Sequence, residues 1–195
     1  MYVTLMEVHG LDAALFGLGL SHGLTSGMTF TEFQTMPRNA PLRARLLRRA
    51  EKLAGLGDGH DKFLRAIQAT LYVRAPLFWW KQFDTYKVGT VTQSESTMHS
   101  LLKTPITARL FANPEHFPRG LLDVLENRRR AGGFEGLNAC LPQSFLQSRV
   151  VVTNYATLGN MLRQRQGHKL KEWAEFCAFL LDCLPYQELL SPQRG

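Results

Sequence analysis

A chain of 195 residues is long enough for one domain with a real core and too short for two independent ones. Its 45% hydrophobic and 20% charged residues exclude the disordered and low-complexity classes. A formal charge of +7 and a pI of about 9.6 favour anionic partners such as nucleotides, polynucleotides or an acidic membrane surface, without choosing among them.

MYVTLMEV alternates as a strand does, and MYVTLMEVHG lacks the basic and apolar regions of a signal peptide. No apolar run approaches the length of a membrane span, so a cytoplasmic location and no membrane partner are expected. LDAALFGLGLSHGL predicts a helix ending in the Gly-rich SHGLTSGM. PLRARLLRRAEKLAGLG places Leu42, Leu46, Ala50 and Leu53 on one helical stripe, with Pro41 in the first turn and glycines beyond the end. The other faces carry Arg43, Arg45, Arg48 and Arg49, which predicts a basic face in water.

HDKFLRAIQATLYVRAPLFWW predicts a helix passing into an extended or helical apolar segment, and TVTQSEST a turn or polar strand. FPRGLLDVLENRRRAGG has Pro near a helix start, basic residues in the last turn and Gly-Gly at the stop. GFEG and CLPQS read as loops. In the final third, Leu170, Trp173, Cys177, Leu180 and Leu184 repeat at helical spacing and predict a core face. Asn154, Leu158, Met161, Arg165 and His168 share a second face if one helix runs to Gly167.

Asn, Arg and His on an apolar stripe are costly to bury without partners, so they either bond to neighbouring backbone or line a ligand cleft. Cys140, Cys177 and Cys183 show no CxxC or CxxH spacing and are expected to be buried, reduced and structural. The six histidines show no ligand spacing with carboxylates, which argues against a metal-dependent hydrolase.

The densest polar stretch is WWKQFDTYKVGTVTQSESTMH. In it Gln82 stands three residues before Thr85-Tyr86-Lys87, and Glu95, Thr97 and His99 follow. The three tryptophans, Trp79, Trp80 and Trp173, are expected in the core or at an interface rather than as flavin platforms. Further on, Leu141-Pro142 precedes NYATLGNMLRQR, with Asn154, Asn160 and Arg165, and HKLKEW, with His168 and Glu172; HDKF, with His60, lies upstream.

In this order the chain resembles the flavin-dependent thymidylate synthases. That family carries a Gln, then Arg-His-Arg, a Ser and an Asn-Glu-x-Ser-x-Arg-Tyr string, and later Leu-Pro, an Asn-bearing helix and Arg followed by His-Ala-Gln-Trp-Glu. The specific motifs cover residues 82 to 99 and 141 to 173, with the closer match in the second region. The chain is similar to a divergent, phage-type branch.

The resemblance implies an α/β (α+β) fold, a mixed β-sheet flanked by helices in one domain over residues 1 to 195, assembled as a homotetramer with active sites between subunits. It implies transfer of a one-carbon unit to C5 of a pyrimidine deoxynucleotide, dUMP to dTMP or a sister reaction such as hydroxymethylation. FAD is the implied cofactor, with methylenetetrahydrofolate and NADPH as further expected ones. No enzyme nucleophile is required, in keeping with the cysteine set.

By the same resemblance Arg165 contacts the pyrimidine and is the expected catalytic group. Asn154, Asn160 and His168 help to hold flavin, with Tyr86, Lys87 and His60 in the same cofactor set. Gln82, Glu95, Thr97 and His99 meet the nucleotide. Two departures stand out. Thr85-Tyr86-Lys87 in place of Arg-His-Arg removes two guanidinium groups, and His99 replaces a phosphate-facing Arg. The alternatives are a nucleotide- or flavin-binding protein on the same fold without turnover, and a nucleic-acid-binding accessory protein using Arg43 to Arg49 and Arg128 to Arg130.

Overall fold

The computed structural model describes residues 1 to 190. Strand β1 (Tyr2–His9) leads through Gly10, at φ 88°, into α1 (Leu11–Ser21). Helix α2 (Phe30–Thr35) starts with a capping box in which Thr29 and Glu32 satisfy each other's backbone N–H groups. Helix α3 (Pro41–Leu53) has Pro41 in its first turn, where the missing N–H is no loss.

The segment after His60 is a short 3-10 turn, Lys62–Ala66, followed by β2 (Gln68–Pro76) and α4 (Leu77–Phe83). The expected helix is therefore reduced to one 3-10 turn, and of the two forms open to the apolar segment after it the extended one is adopted, because ATLYVRA alternates buried and half-buried positions and carries β-branched and aromatic residues. Next come β3 (Thr90–Ser94), α5 (Thr97–Ser100), α6 (Leu121–Arg130) and α7 (Phe134–Ala139). Helix α7 takes up most of GFEG, which reads as a loop in the sequence; Leu137 is fully buried and ties that turn to the core. The chain closes with β4 (Leu146–Asn154), α8 (Tyr155–Arg165) and α9 (Lys171–Cys183).

The α+β class expected from the resemblance is the one observed. The four strands form one sheet of order β1-β2-β4-β3. Within that class the pairing is antiparallel: Glu95 N–H donates to Ser148 O at 2.8 Å while Gly89 lies against Thr153, so residue numbers rise on one strand as they fall on the other.

Contacts divide the chain into two compact units. The first comprises Met1–Thr4, Tyr72–Thr85 and Thr92–Val151. Its core joins Leu101, Ile106, Phe111, Leu125, Leu137 and Phe145. Trp79, Trp80 and Phe83 form an aromatic group with centroids 4.9 to 5.3 Å apart, and both tryptophans are as buried as expected. Arg149 lies 4.2 Å over the Trp80 ring and bonds Asp84 at 2.7 Å. Glu126 accepts from the Ile106 N–H, Arg129 and Arg130. Two of the three arginines in the Arg128 to Arg130 cluster thus pair with Glu126, Arg129 mostly buried and Arg130 still exposed.

The second unit comprises Leu5–Leu71, Tyr86–Val91 and the residues from Val152 on. Ala14, Leu15, Leu18, Phe33, Leu46 and Ala50 pack α1, α2 and α3 together. The α3 stripe faces inward as its spacing predicts, but Arg43 is not on a solvated face. It is 8% exposed, donates to Asp12 Oδ1 at 2.6 Å and to Phe33 O at 2.7 Å, and lies over the Phe33 ring. Asp12, 31 residues away, and the end of α2 claim it.

Of the three cysteines only Cys177 is buried, on the predicted α9 face with Trp173, Leu180 and Leu184. Burial pushes its thiol up, away from thiolate chemistry. Cys140 and Cys183 are exposed, because each sits at a helix end.

Candidate functional site

Helix α8 organises the polar residues of the second unit. Its N-cap is Asn154, whose Oδ1 accepts from Thr157 N–H at 3.0 Å. Thr153 donates to Gly89 O at 3.0 Å and the Asn154 amide approaches the same oxygen at 3.5 Å, so segment 86 to 91 is tied to the start of α8. Its other tie is at the helix end. The Tyr86 hydroxyl accepts from Arg165 Nε at 2.9 Å and donates to Gln164 Oε1 at 2.9 Å.

Arg165 is the centre of this arrangement. Its guanidinium lies 4.8 Å from the centroid of the buried Trp173 ring and 5.5 Å from that of Tyr86. Half-buried, it meets no carboxylate among the described residues, and its terminal nitrogens have no hydrogen-bond acceptor there. A cation so held presents a fixed pair of donors to an outside acceptor.

The predicted stripe to His168 is broken. Helix α8 ends at Arg165, Gln166 turns to ψ 124° and Gly167 takes φ 78°, leaving His168 in a turn. There His168 Nδ1 accepts from Leu170 N–H at 3.1 Å, and its ring centroid is 6.4 Å from that of Trp173. Tyr86, Arg165, His168 and Trp173 thus form one cluster. Asn160 lies apart from it, exposed and bonded to Arg163, and Lys87 is exposed. Glu172, in the first turn of α9, is 3% exposed without a hydrogen-bond partner among the described residues.

His60 lines a groove of about 380 Å³ with Ala14, Gly17, Ser21, His22 and Lys62. A Cβ built on Gly17 meets nothing within 4 Å, so the groove is open beside α1. Apolar walls with two imidazoles and an ammonium on the rim suit an aromatic anion. A larger groove of about 810 Å³ includes Asp12 and Arg43, which neutralise each other, and the exposed Arg38, which no aromatic ring or hydrogen bond among the described residues holds in place as Arg165 is held.

The remaining expected residues belong to the first unit. Gln82 lies in the last turn of α4, and its carbonyl accepts from the Thr85 hydroxyl at 2.7 Å. Glu95 follows β3, with its backbone paired to Ser148 and its carboxylate exposed. Thr97 and His99 lie on α5, half-buried and exposed respectively. Sequence reasoning missed Gln164 and the cap made by Asn154, although Asn-x-x-Thr before a helical run is an N-cap signal.

No family model matches the chain, and no curated protein is similar to it in sequence. Solved structures are similar in fold. A crystal structure of the flavin-dependent thymidylate synthase ThyX from Helicobacter pylori complexed with FAD and dUMP aligns with a TM-score of 0.73 at 16% identity, over 98% of each chain. A second structure of thymidylate synthase X from the same organism, also with FAD and dUMP, aligns with a TM-score of 0.72 at 14% identity, over 99% of this chain and 98% of that one. The chain therefore has the fold of these enzymes along nearly its whole length.

Proposed function

We propose that this chain is a divergent flavin-dependent thymidylate synthase that transfers a one-carbon unit to C5 of a pyrimidine deoxynucleotide, with dUMP to dTMP as the first reaction to test and hydroxymethylation as its sister. The observation that carries this reading is Arg165, held by Tyr86 and Trp173 with its terminal nitrogens unclaimed. Such a group binds a pyrimidine carbonyl and stabilises negative charge that develops on it.

FAD fits the donor set around the α1 groove, where His60, His22 and Lys62 would meet its phosphates and the apolar wall its rings. When bound and reduced, flavin supplies the hydride that completes the methyl group. Asn154, Asn160, His168, Tyr86 and Lys87 complete the cofactor side in this reading, and Gln82, Glu95, Thr97 and His99 the nucleotide side. Methylenetetrahydrofolate would be the carbon donor and NADPH the reductant, in a cytoplasmic homotetramer.

One observation favours a second reading, a nucleotide- or flavin-binding protein without turnover. Where the family has Arg-His-Arg, the Thr85 and Tyr86 hydroxyls are both engaged within the fold and only Lys87 carries charge.

The deciding experiment is the visible absorption spectrum of the purified protein after mixing with FAD and gel filtration. Flavin bands that stay with the protein and shift when dUMP is added support the synthase reading; no retained flavin overturns it. Retained flavin without product from dUMP selects the second reading.

A further inference from the structure

We infer that Tyr86 is a positioning residue that fixes which edge of Arg165 meets the ligand. This rests on the assignment of Arg165 to the nucleotide site. An arginine can offer either its Nε–Nη edge or its terminal Nη–Nη edge to a pair of acceptors. In this chain Nε is already committed, donating to the Tyr86 hydroxyl at 2.9 Å.

That hydroxyl is itself oriented. Its proton goes to Gln164 Oε1 at 2.9 Å, so an oxygen lone pair is left for Nε–H. Gln164 precedes Arg165 on α8, and Tyr86 opens the segment tied by Gly89 to the start of the same helix. The Trp173 ring, 4.8 Å away and fully buried, limits the plane of the guanidinium from a third direction. Only the terminal edge remains to meet a ligand.

A fork fixed in this way needs no reordering when substrate binds, which removes an entropy cost of fixing a long side chain. It also restricts recognition to a ligand whose two acceptors lie side by side in one plane. Tyr86→Phe would keep the aromatic face and remove the lone pair. The guanidinium would then rotate over Trp173.

The test pairs a direct probe of the hydrogen bond with a functional one. Solvent exchange of the arginine side-chain Nε–H groups is followed by nitrogen-15 NMR in the full chain and in Tyr86→Phe, with the buried Arg43 as internal reference. We expect slow exchange at Arg165 in the parent protein, accelerated about tenfold or more in Tyr86→Phe, with Arg43 unchanged. In the same proteins we expect dUMP to bind about five- to tenfold more weakly in Tyr86→Phe, with kcat falling by a larger factor than KM rises.

Equal exchange in the two proteins overturns the inference. So does unchanged dUMP affinity and turnover in Tyr86→Phe, an outcome that leaves the synthase reading intact. A parent protein that binds no dUMP overturns the synthase reading, and the exchange contrast then decides alone whether Tyr86 holds Arg165.

Discussion

Gly89 lies so close to Asn154 that a Cβ at position 89 would fall 2.8 Å from Asn154 Nδ2 and 2.5 Å from Thr157 Oγ1. Its φ of 86° already favours glycine. Gly89→Ala should therefore cost about 1–3 kcal/mol, from backbone strain and from pushing segment 86 to 91 off the N-terminus of α8. Urea denaturation measures this directly; a loss below about 0.5 kcal/mol would contradict it.

Asp12→Ala should destabilise the fold by about 2–3 kcal/mol, because it leaves the Arg43 cation buried without its carboxylate. The cost stays below that of a fully enclosed pair, since the Asp12 side chain is 36% exposed. Arg45→Ala, on the exposed face of the same helix, should change stability by no more than about 0.5 kcal/mol. Comparing the two by denaturant midpoint tests the placement of Arg43 in the core.

Glu126 has its carboxyl held well below the ordinary value of 4.5, first by the hydrogen bond from Arg129 and then by the Ile106 N–H. A depressed carboxyl pKa contributes stability that is present above 4.5 and lost as pH falls toward the folded-state value. The stability difference between the parent and Glu126→Gln should then be flat from neutral pH down to about 5 and shrink below about 4.5. A difference that grows with acid would exclude this origin.

Arg165→Ala should keep its fold, with stability changed by about 1 kcal/mol or less, because Trp173 is buried by its own neighbours. Its kcat/KM on a pyrimidine deoxynucleotide should fall about 100-fold or more. Arg165→Lys should not restore it, since an ammonium lacks the planar fork. Steady-state kinetics alongside thermal melting separates loss of chemistry from loss of structure.

Gly17→Leu should place a side chain in the open space beside α1. Gly17 lies within a regular helix, so the change should stabilise the apoprotein by about 0.5–1 kcal/mol. The same variant should fail to retain flavin after gel filtration. Undiminished flavin binding would move the cofactor away from the groove that holds His60.

What the chain's residues determined by themselves is the set of elements with strong local period or local chemistry. Strand β1, helices α1, α3 and α6 and the core face of α9 follow from alternation, helical spacing, Pro41 and the terminal glycines, all short-range effects. The order of Gln82, Glu95, Asn154, Arg165 and His168 was likewise readable as a resemblance to a family, and the chain has the fold of two solved enzymes of that family.

Only the tertiary structure decided which charges are spent and which are available. Arg43 and Arg165 look alike in sequence, each a basic residue on a helix. Asp12, 31 residues away, claims the first, and a tyrosine hydroxyl 79 residues away orients the second. Likewise Asn154 and His168 share a helical stripe on paper, yet one became a cap and the other lies beyond the helix end at Arg165. Periodicity records which side of a helix a residue occupies, whereas the fate of a buried polar group depends on the partner that folding brings to it.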